Sequence, residues 1–156
     1  MRRGELVPDE IVNEIVFAEL EGLNRFVLDG FPRTPNQAQS LLDTTEMEIV
    51  LRFTISDELI VSRLTGRRVC TDCERTYHTT FEPPTTEGRC DYCNGTLSQR
   101  EDDTPPAIRN RIDEFYKTTI DALEELRAAS AVVSISAEHE FEFVWPKVTG
   151  AVEDIQ

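Results

Sequence analysis

The chain has 156 residues, 39% hydrophobic and 29% charged, enough for one folded domain and too apolar for global disorder. Its net charge of -14 repels a phosphate backbone and disfavours general nucleic-acid binding. No uncharged apolar run approaches a membrane span, and none follows Met1-Arg2-Arg3-Gly4-Glu5 as a signal peptide requires, so the sequence reads as soluble and cytoplasmic.

From Pro8 to Leu20, apolar residues fall at Ile11, Val12, Ile15, Val16 and Leu20, which predicts a helix with Asp9 and Glu10 in its first turn. Arg25–Leu28 reads as a strand ending in Asp29-Gly30. Thr34-Pro35-Asn36-Gln37 supplies a cap, a first-turn proline and a glutamine three residues after the cap, opening a helix to about Leu42. Ile49–Ile55 is rich in strand formers, and Ser56-Asp57-Glu58 then starts a helix carrying Leu59, Ile60 and Leu64. After Pro105 and Pro106 one long helical pattern runs through Ile108, Ile112, Phe115, Ile120, Leu123 and Leu126, followed by a strand over Ala131–Ile135. A weaker last helix spans Phe141–Val152, interrupted at Pro146.

This alternation predicts an α/β fold with a parallel sheet and flanking helices. The segment from Gly66 to Asp103 breaks the rhythm and reads as an insert. The expected organisation is one interrupted domain: residues 1–65, an insert over 66–103, and a continuation over 104–156.

Within the insert, Cys70, Cys73, Cys90 and Cys93 form C-x2-C-x16-C-x2-C, a spacing that lets two tight knuckles aim four thiolates at one tetrahedral ion. Structural zinc is the expectation, since four protein ligands leave no position for a reactive water. A redox pair and free thiols are the competing readings. His78, between the knuckles, reads as an ordinary loop histidine. Among the basic residues only Lys117 and Lys147 are lysines, and a Lys-poor acidic surface predicts stability that rises with molar KCl.

The segment Leu28-Asp29-Gly30-Phe31-Pro32-Arg33-Thr34, with Gln37 following, resembles the nucleoside-binding signature of adenylate kinases. GELVPDEIV at Gly4–Val12, DELIVSRLTGRRVC at Asp57–Cys70, Tyr77-His78, and the QREDD and RNR segments within Gln99–Arg111 follow in that family's order. The resemblance implies a P-loop-NTPase-like fold with a zinc-binding lid, Mg2+ with ATP, and reversible conversion of ATP and AMP to two ADP. Guanidinium forks suit that chemistry, because phosphoryl transfer is mainly positioning and charge neutralisation.

By the same resemblance Arg33 holds the AMP phosphate, Gln37 reads the adenine edge, and Glu5, Leu6, Val7, Gly30, Phe31 and Pro32 line that site. A residue-level alternative for Gln37 is a capping partner of Thr34. Asp29 is placed to organise Mg2+ through water, or as a turn aspartate capping local amides. Arg63, Arg67, Thr76, Tyr77 and His139 fall on the ATP side, and Arg100 and Arg111 clamp the transferring phosphoryl as well as the AMP. Asp102 and Asp103 tie the lid to arginines, or are an ordinary exposed acidic pair of an acidic chain, whereas Arg68 and Arg109 are left outside the site.

The family's phosphate cradle, GxxxxGK[ST], does not occur in these 156 residues. The expectation is therefore an N-terminally truncated form, a fragment or mis-assigned start with little activity. A zinc-ribbon binding protein without catalysis is the competing class, and a sister kinase using UMP, CMP or GMP is another. Partners implied are ATP, AMP and ADP, with no nucleic acid, no membrane and a monomeric state.

Overall fold

The structure, a computed structural model, describes residues 7–154. Helix α1 (Asp9–Leu20) begins directly after Pro8, with Asp9 and Glu10 set against the positive end of the helix dipole. Helix α2 (Pro35–Thr44) starts as the sequence dictates: Pro35 occupies its first turn and the Thr34 side chain accepts the Gln37 amide. Its buried residues are Gln37, Ala38 and Leu41, one helical face.

Strand β1 (Ile49–Thr54) leads into α3 (Asp57–Thr65). After the insert the chain continues as α4 (Pro105–Glu114), a π-helical turn (Phe115–Thr119), α5 (Ile120–Ala129), β5 (Ala131–Ser136) and α6 (Phe141–Glu153). β1 pairs with β5, and the Ala137 amide bonds the Thr54 carbonyl at 2.8 Å, so both strands end at the same edge and run parallel. A parallel sheet with flanking helices is thus the body of this mixed α/β fold.

Three local expectations are corrected. Arg25–Leu28 forms no ladder among the described residues and Val27 is 94% exposed; strand-forming side chains favour an extended backbone, but a strand exists only where another backbone pairs with it. The long helical pattern is not uniform, because the Ile120 amide bonds Phe115 five residues back and widens one turn. Pro146 lies inside α6 without ending it: it removes one amide donor from a stretch whose exposure leaves the freed carbonyl open to solvent.

The chain divides into two compact units. The first takes in the residues up to Arg52, Glu114–Ile135 and those from Glu142 on; the second takes in Phe53–Asp113 and Ser136–Phe141. The boundaries read from the sequence at 66 and 103 both fall inside the second unit. In the first unit Ala38 of α2 meets Ala122 and Leu126 of α5, with Leu42 and Val50 alongside; the two alanines keep the helices close. In the second, β2 (Arg67–Cys70), β3 (Thr76–His78) and β4 (Leu97–Ser98) form an antiparallel sheet in the order β3-β2-β4. Among the described residues no helix is long and apolar enough to cross a membrane.

Candidate functional site

The two Cys-x-x-Cys segments fold alike. The Cys70 amide bonds Arg75 O and the Cys90 amide bonds Gly95 O, each at 2.9 Å, while the Glu74 and Asn94 amides return to Cys70 O and Cys90 O. Glu74 and Asn94 both take a positive φ, 60° and 61°, turning the chain sharply after each second cysteine. A side chain on Gly95 would meet the Cys70 sulfur at 2.8 Å, so this turn admits only glycine.

The result is four sulfurs all within 4.8 Å of one another, Cys70 to Cys93 at 3.4 Å and Cys73 to Cys90 at 3.6 Å. A tetrahedral ion with arms of about 2.3 Å has sulfur–sulfur edges of about 3.8 Å, so the set could hold one metal ion. Electrostatics agree. The Tyr77 hydroxyl, 3.4 Å away, pulls the Cys90 thiol down to about 6. Cys93 is drawn down by the Gly95 amide, but its Cys73 and Cys70 neighbours push it up to about 12. One thiolate thus suppresses the next, and only a cation at the centre lets all four ionise.

His78 does not join the cluster. Its Nδ1 accepts the Thr80 and Phe81 amides, each at 3.0 Å, and its Nε2 faces Ser62 O at 3.4 Å. A Cβ on Gly66 would run into the His78 ring, so this glycine lets α3 and β3 approach. Tyr77 is buried, with its hydroxyl on Cys90 and on the Asp91 amide at 2.8 Å. Its side chain therefore serves the interior of the insert, while its backbone pairs with Arg68 in the β2–β3 ladder. Thr76, beside it on β3, is exposed.

Three of the expected arginines meet where the insert joins the body of its unit. Arg67 is bidentate to Asp103, Nε to Oδ2 at 2.8 Å and Nη2 to Oδ1 at 2.6 Å, and the Asp103 hydrogen bond raises the Arg67 pKa. Arg100 grips Asp102 at 2.9 and 3.0 Å, and Arg111 reaches the same carboxylate at 3.3 Å and Asp103 at 3.9 Å. Asp103 is fully buried, while Arg100 and Arg111 are about half exposed. Three guanidinium groups on two carboxylates leave excess positive charge with outward N–H groups, the equipment for an anion. Gln99 ties the two chain passages into and out of the insert, donating to Thr65 O at 3.1 Å and Asp103 O at 2.8 Å.

Arg63 and His139 are also brought together. Arg63 Nη1 bonds Ala137 O at 2.9 Å and Nη2 bonds His139 O at 3.1 Å, so its guanidinium shapes the loop after β5. Glu138 of that loop accepts the Ser56 amide at 2.6 Å, at the start of α3. The Arg68 guanidinium bonds the local carbonyls of Thr65 and Arg67.

In the first unit, the Asp29-Gly30 turn takes a positive φ of 77° at Gly30, and a cis peptide joins Phe31 to Pro32. Arg33 curls back over the turn, its Nε donating to Gly30 O at 2.7 Å; a side chain on Gly30 would collide with that guanidinium. Phe31 meets Phe17 edge-on at 6.3 Å. Asp29 and Arg33 are exposed and Val7 is half-buried, whereas Glu5 and Leu6 lie outside the described residues.

Gln37 is drawn into a network that the sequence did not announce. Its Oε1 accepts the Arg33 amide at 2.8 Å, its Nε2 donates to Asp9 Oδ1 at 2.7 Å, and its own amide bonds Thr34 Oγ1 at 3.2 Å. Asp9, read beforehand only as a first-turn acid, lies 28 positions away, beyond the reach of any local signal.

Comparison with known proteins adds a second line. A family model described as adenylate kinase matches residues 1–130. An adenylate kinase of Halobacterium salinarum is 42% identical over 154 residues, 99% of this chain and 71% of that protein. One of Haloarcula marismortui is 41% identical over 98% of the chain and 71% of its own length. One of Acidothermus cellulolyticus is 36% identical over 97% and 74%.

Proposed function

Since this chain belongs to the adenylate kinase family and is by that membership a phosphotransferase, we propose that it moves the terminal phosphoryl group of ATP reversibly to AMP, giving two ADP, with Mg2+. The observation that carries the reading is the gathering of Arg67, Arg100 and Arg111 on Asp102 and Asp103 in a chain of net charge -14. An excess of guanidinium over carboxylate at one point of so acidic a chain makes a local positive site at which an anion can bind. Asp102 keeps Arg100 and Arg111 preformed, and phosphate oxygens take its place on their outward N–H groups.

Arg33 receives the AMP phosphate, with Val7, Gly30, Phe31 and Pro32 around it and Gln37 at the base. Asp29 orders the hydration of Mg2+. Arg63 and His139 shape the ATP side, with exposed Thr76, which Tyr77 anchors in β3 through its bonds to Cys90 and Asp91. The transfer is direct: an AMP phosphate oxygen bonds the γ-phosphorus as the bond to the bridging oxygen of ATP breaks, without a phosphoenzyme. Cys70, Cys73, Cys90 and Cys93 hold zinc, which supplies structure to the insert and takes no part in the chemistry.

Phosphorus NMR of the chain with ATP, AMP and Mg2+ tests the reading. ADP accumulates above the protein-free control, though slowly in 156 residues without a GxxxxGK[ST] cradle, and Arg111→Lys lowers it toward that control, because an ammonium cannot replace a bidentate fork. No ADP above that control, or equal rates in the variant, overturns it.

A further inference from the structure

A glutamine amide is ambiguous: one end accepts, the other donates, and turning it over exchanges the two. For Gln37 both ends face partners with a single role. The Arg33 amide only donates, to Oε1 at 2.8 Å, and the Asp9 carboxylate accepts at both oxygens, from Nε2 at 2.7 Å and from the Thr34 hydroxyl. Asp9 is itself held, because its other oxygen accepts the Thr34 hydroxyl at 2.6 Å and that hydroxyl caps the Gln37 amide. A turned amide would set oxygen against carboxylate and NH2 against N–H. Gln37 is 5% exposed, so little water reaches it to relieve either clash.

We propose that Asp9 is a positioning residue for nucleobase selection, fixing the polarity of Gln37 so that the site takes a 6-aminopurine monophosphate in preference to a 6-oxopurine one. This rests on the reading of Gln37 as the base contact. Beyond its bonds to Arg33 and Asp9 the amide retains one N–H and one oxygen lone pair. A 6-aminopurine edge offers a ring-nitrogen acceptor beside an amino donor, and pairs with both. A 6-oxopurine edge offers a ring N–H beside a carbonyl, so donor meets donor and acceptor meets acceptor. With the amide free to turn, either base would pair equally well; with it locked, only one does.

Calorimetry with AMP and IMP on the full chain, its Asp9→Asn form and its Asp9→Glu form tests this. IMP presents the reversed edge, with the same sugar and phosphate. The unaltered chain prefers AMP; in Asp9→Asn, whose amide can present either an N–H or an oxygen to Gln37, only the Arg33 amide still opposes a turned Gln37, and the preference falls about threefold or more. Asp9→Glu, still an acceptor only, retains most of the preference. An unchanged ratio in Asp9→Asn, or an equal loss in Asp9→Glu, overturns the proposal, as does equal affinity for both nucleotides in the unaltered chain. Failure of the unaltered chain to bind either nucleotide instead removes the base-contact reading beneath it. If Asp9→Asn does not fold by circular dichroism, NMR of the unaltered chain decides. One Gln37 side-chain proton protected from exchange supports the lock, and two equally fast ones refute it.

Discussion

The cysteine insert and the α2–α5 helix pair reach order by different physics. The insert's buried cluster is Cys70, Tyr77, Cys90 and Leu97, two of the four being thiols, while Phe81 and Tyr92 remain exposed. The helix pair instead buries hydrocarbon: Ala38, Ala122 and Leu126, with Leu42 and Val50 against them. Hydrophobic burial needs no cofactor, whereas a core made of sulfur becomes cohesive only when a cation neutralises it. Loss of the metal should therefore cost one region its fold and leave the other standing.

The largest expected effect follows directly. Ligation in small thiolate sites contributes on the order of 10 kcal/mol, more than the insert's few apolar contacts supply. Chelation should collapse the dispersed amide signals of residues 67–98 in NMR spectra and spare those of α2 and α5. Zinc uptake should also release protons. Cys90, near 6, is mostly ionised at neutral pH, whereas Cys93, near 12, and Cys73, which the Arg75 amide and Cys93 draw down but burial, Cys70 and Cys90 push up further, still carry theirs. Affinity accordingly falls with acid, and calorimetry in two buffers of different ionisation heat counts the protons. An insert that stays folded without metal would erase the contrast.

The reciprocal cut is smaller. Leu126→Ala removes a buried side chain between α2 and α5 and should cost about 2–5 kcal/mol, lowering the denaturation midpoint of the first unit. Metal stoichiometry and zinc affinity should not move. A parallel loss of zinc affinity would show that the two regions share one core after all.

What the sequence made legible were short-range arrangements: the Thr34-Pro35 helix start, the two Cys-x-x-Cys knuckles and the arginines flanking the insert. Each is written within a few residues, where backbone geometry leaves little choice. Long-range pairing was not legible. Nothing near Asp9 signals Gln37, because helix packing, not spacing, joins α1 to α2. Nothing near Tyr77 tells whether its ring turns to the sulfurs or to solvent, since either face of a three-residue strand satisfies the pattern. Arg63 falls on the ATP side by resemblance, but its hydrogen-bond partners, the carbonyls of Ala137 and His139, lie more than 70 residues on and leave no local signal. Arg25–Leu28 carried strand composition, but composition does not provide a partner.

The smallest expected effect lies in the arginine cluster, between the two carboxylates. The Arg100 hydrogen bonds, then Arg100 and Arg111 charge, hold the Asp102 carboxyl below its ordinary range against the opposing effect of burial. A depressed folded-state pKa stabilises the protein above the unfolded value and is lost as pH falls through the folded one. Comparing the denaturation midpoints of the chain and of Asp102→Asn from neutral pH to about 2 should show the gap closing on the acid side. Asp102 is 44% exposed, so the gap should also shrink in molar KCl. The Arg67–Asp103 pair, with its carboxylate fully buried, should be less sensitive to salt. A gap that persists through acid and salt would mean that Asp102 is held by packing, and that its release to admit phosphate is not a matter of charge exchange.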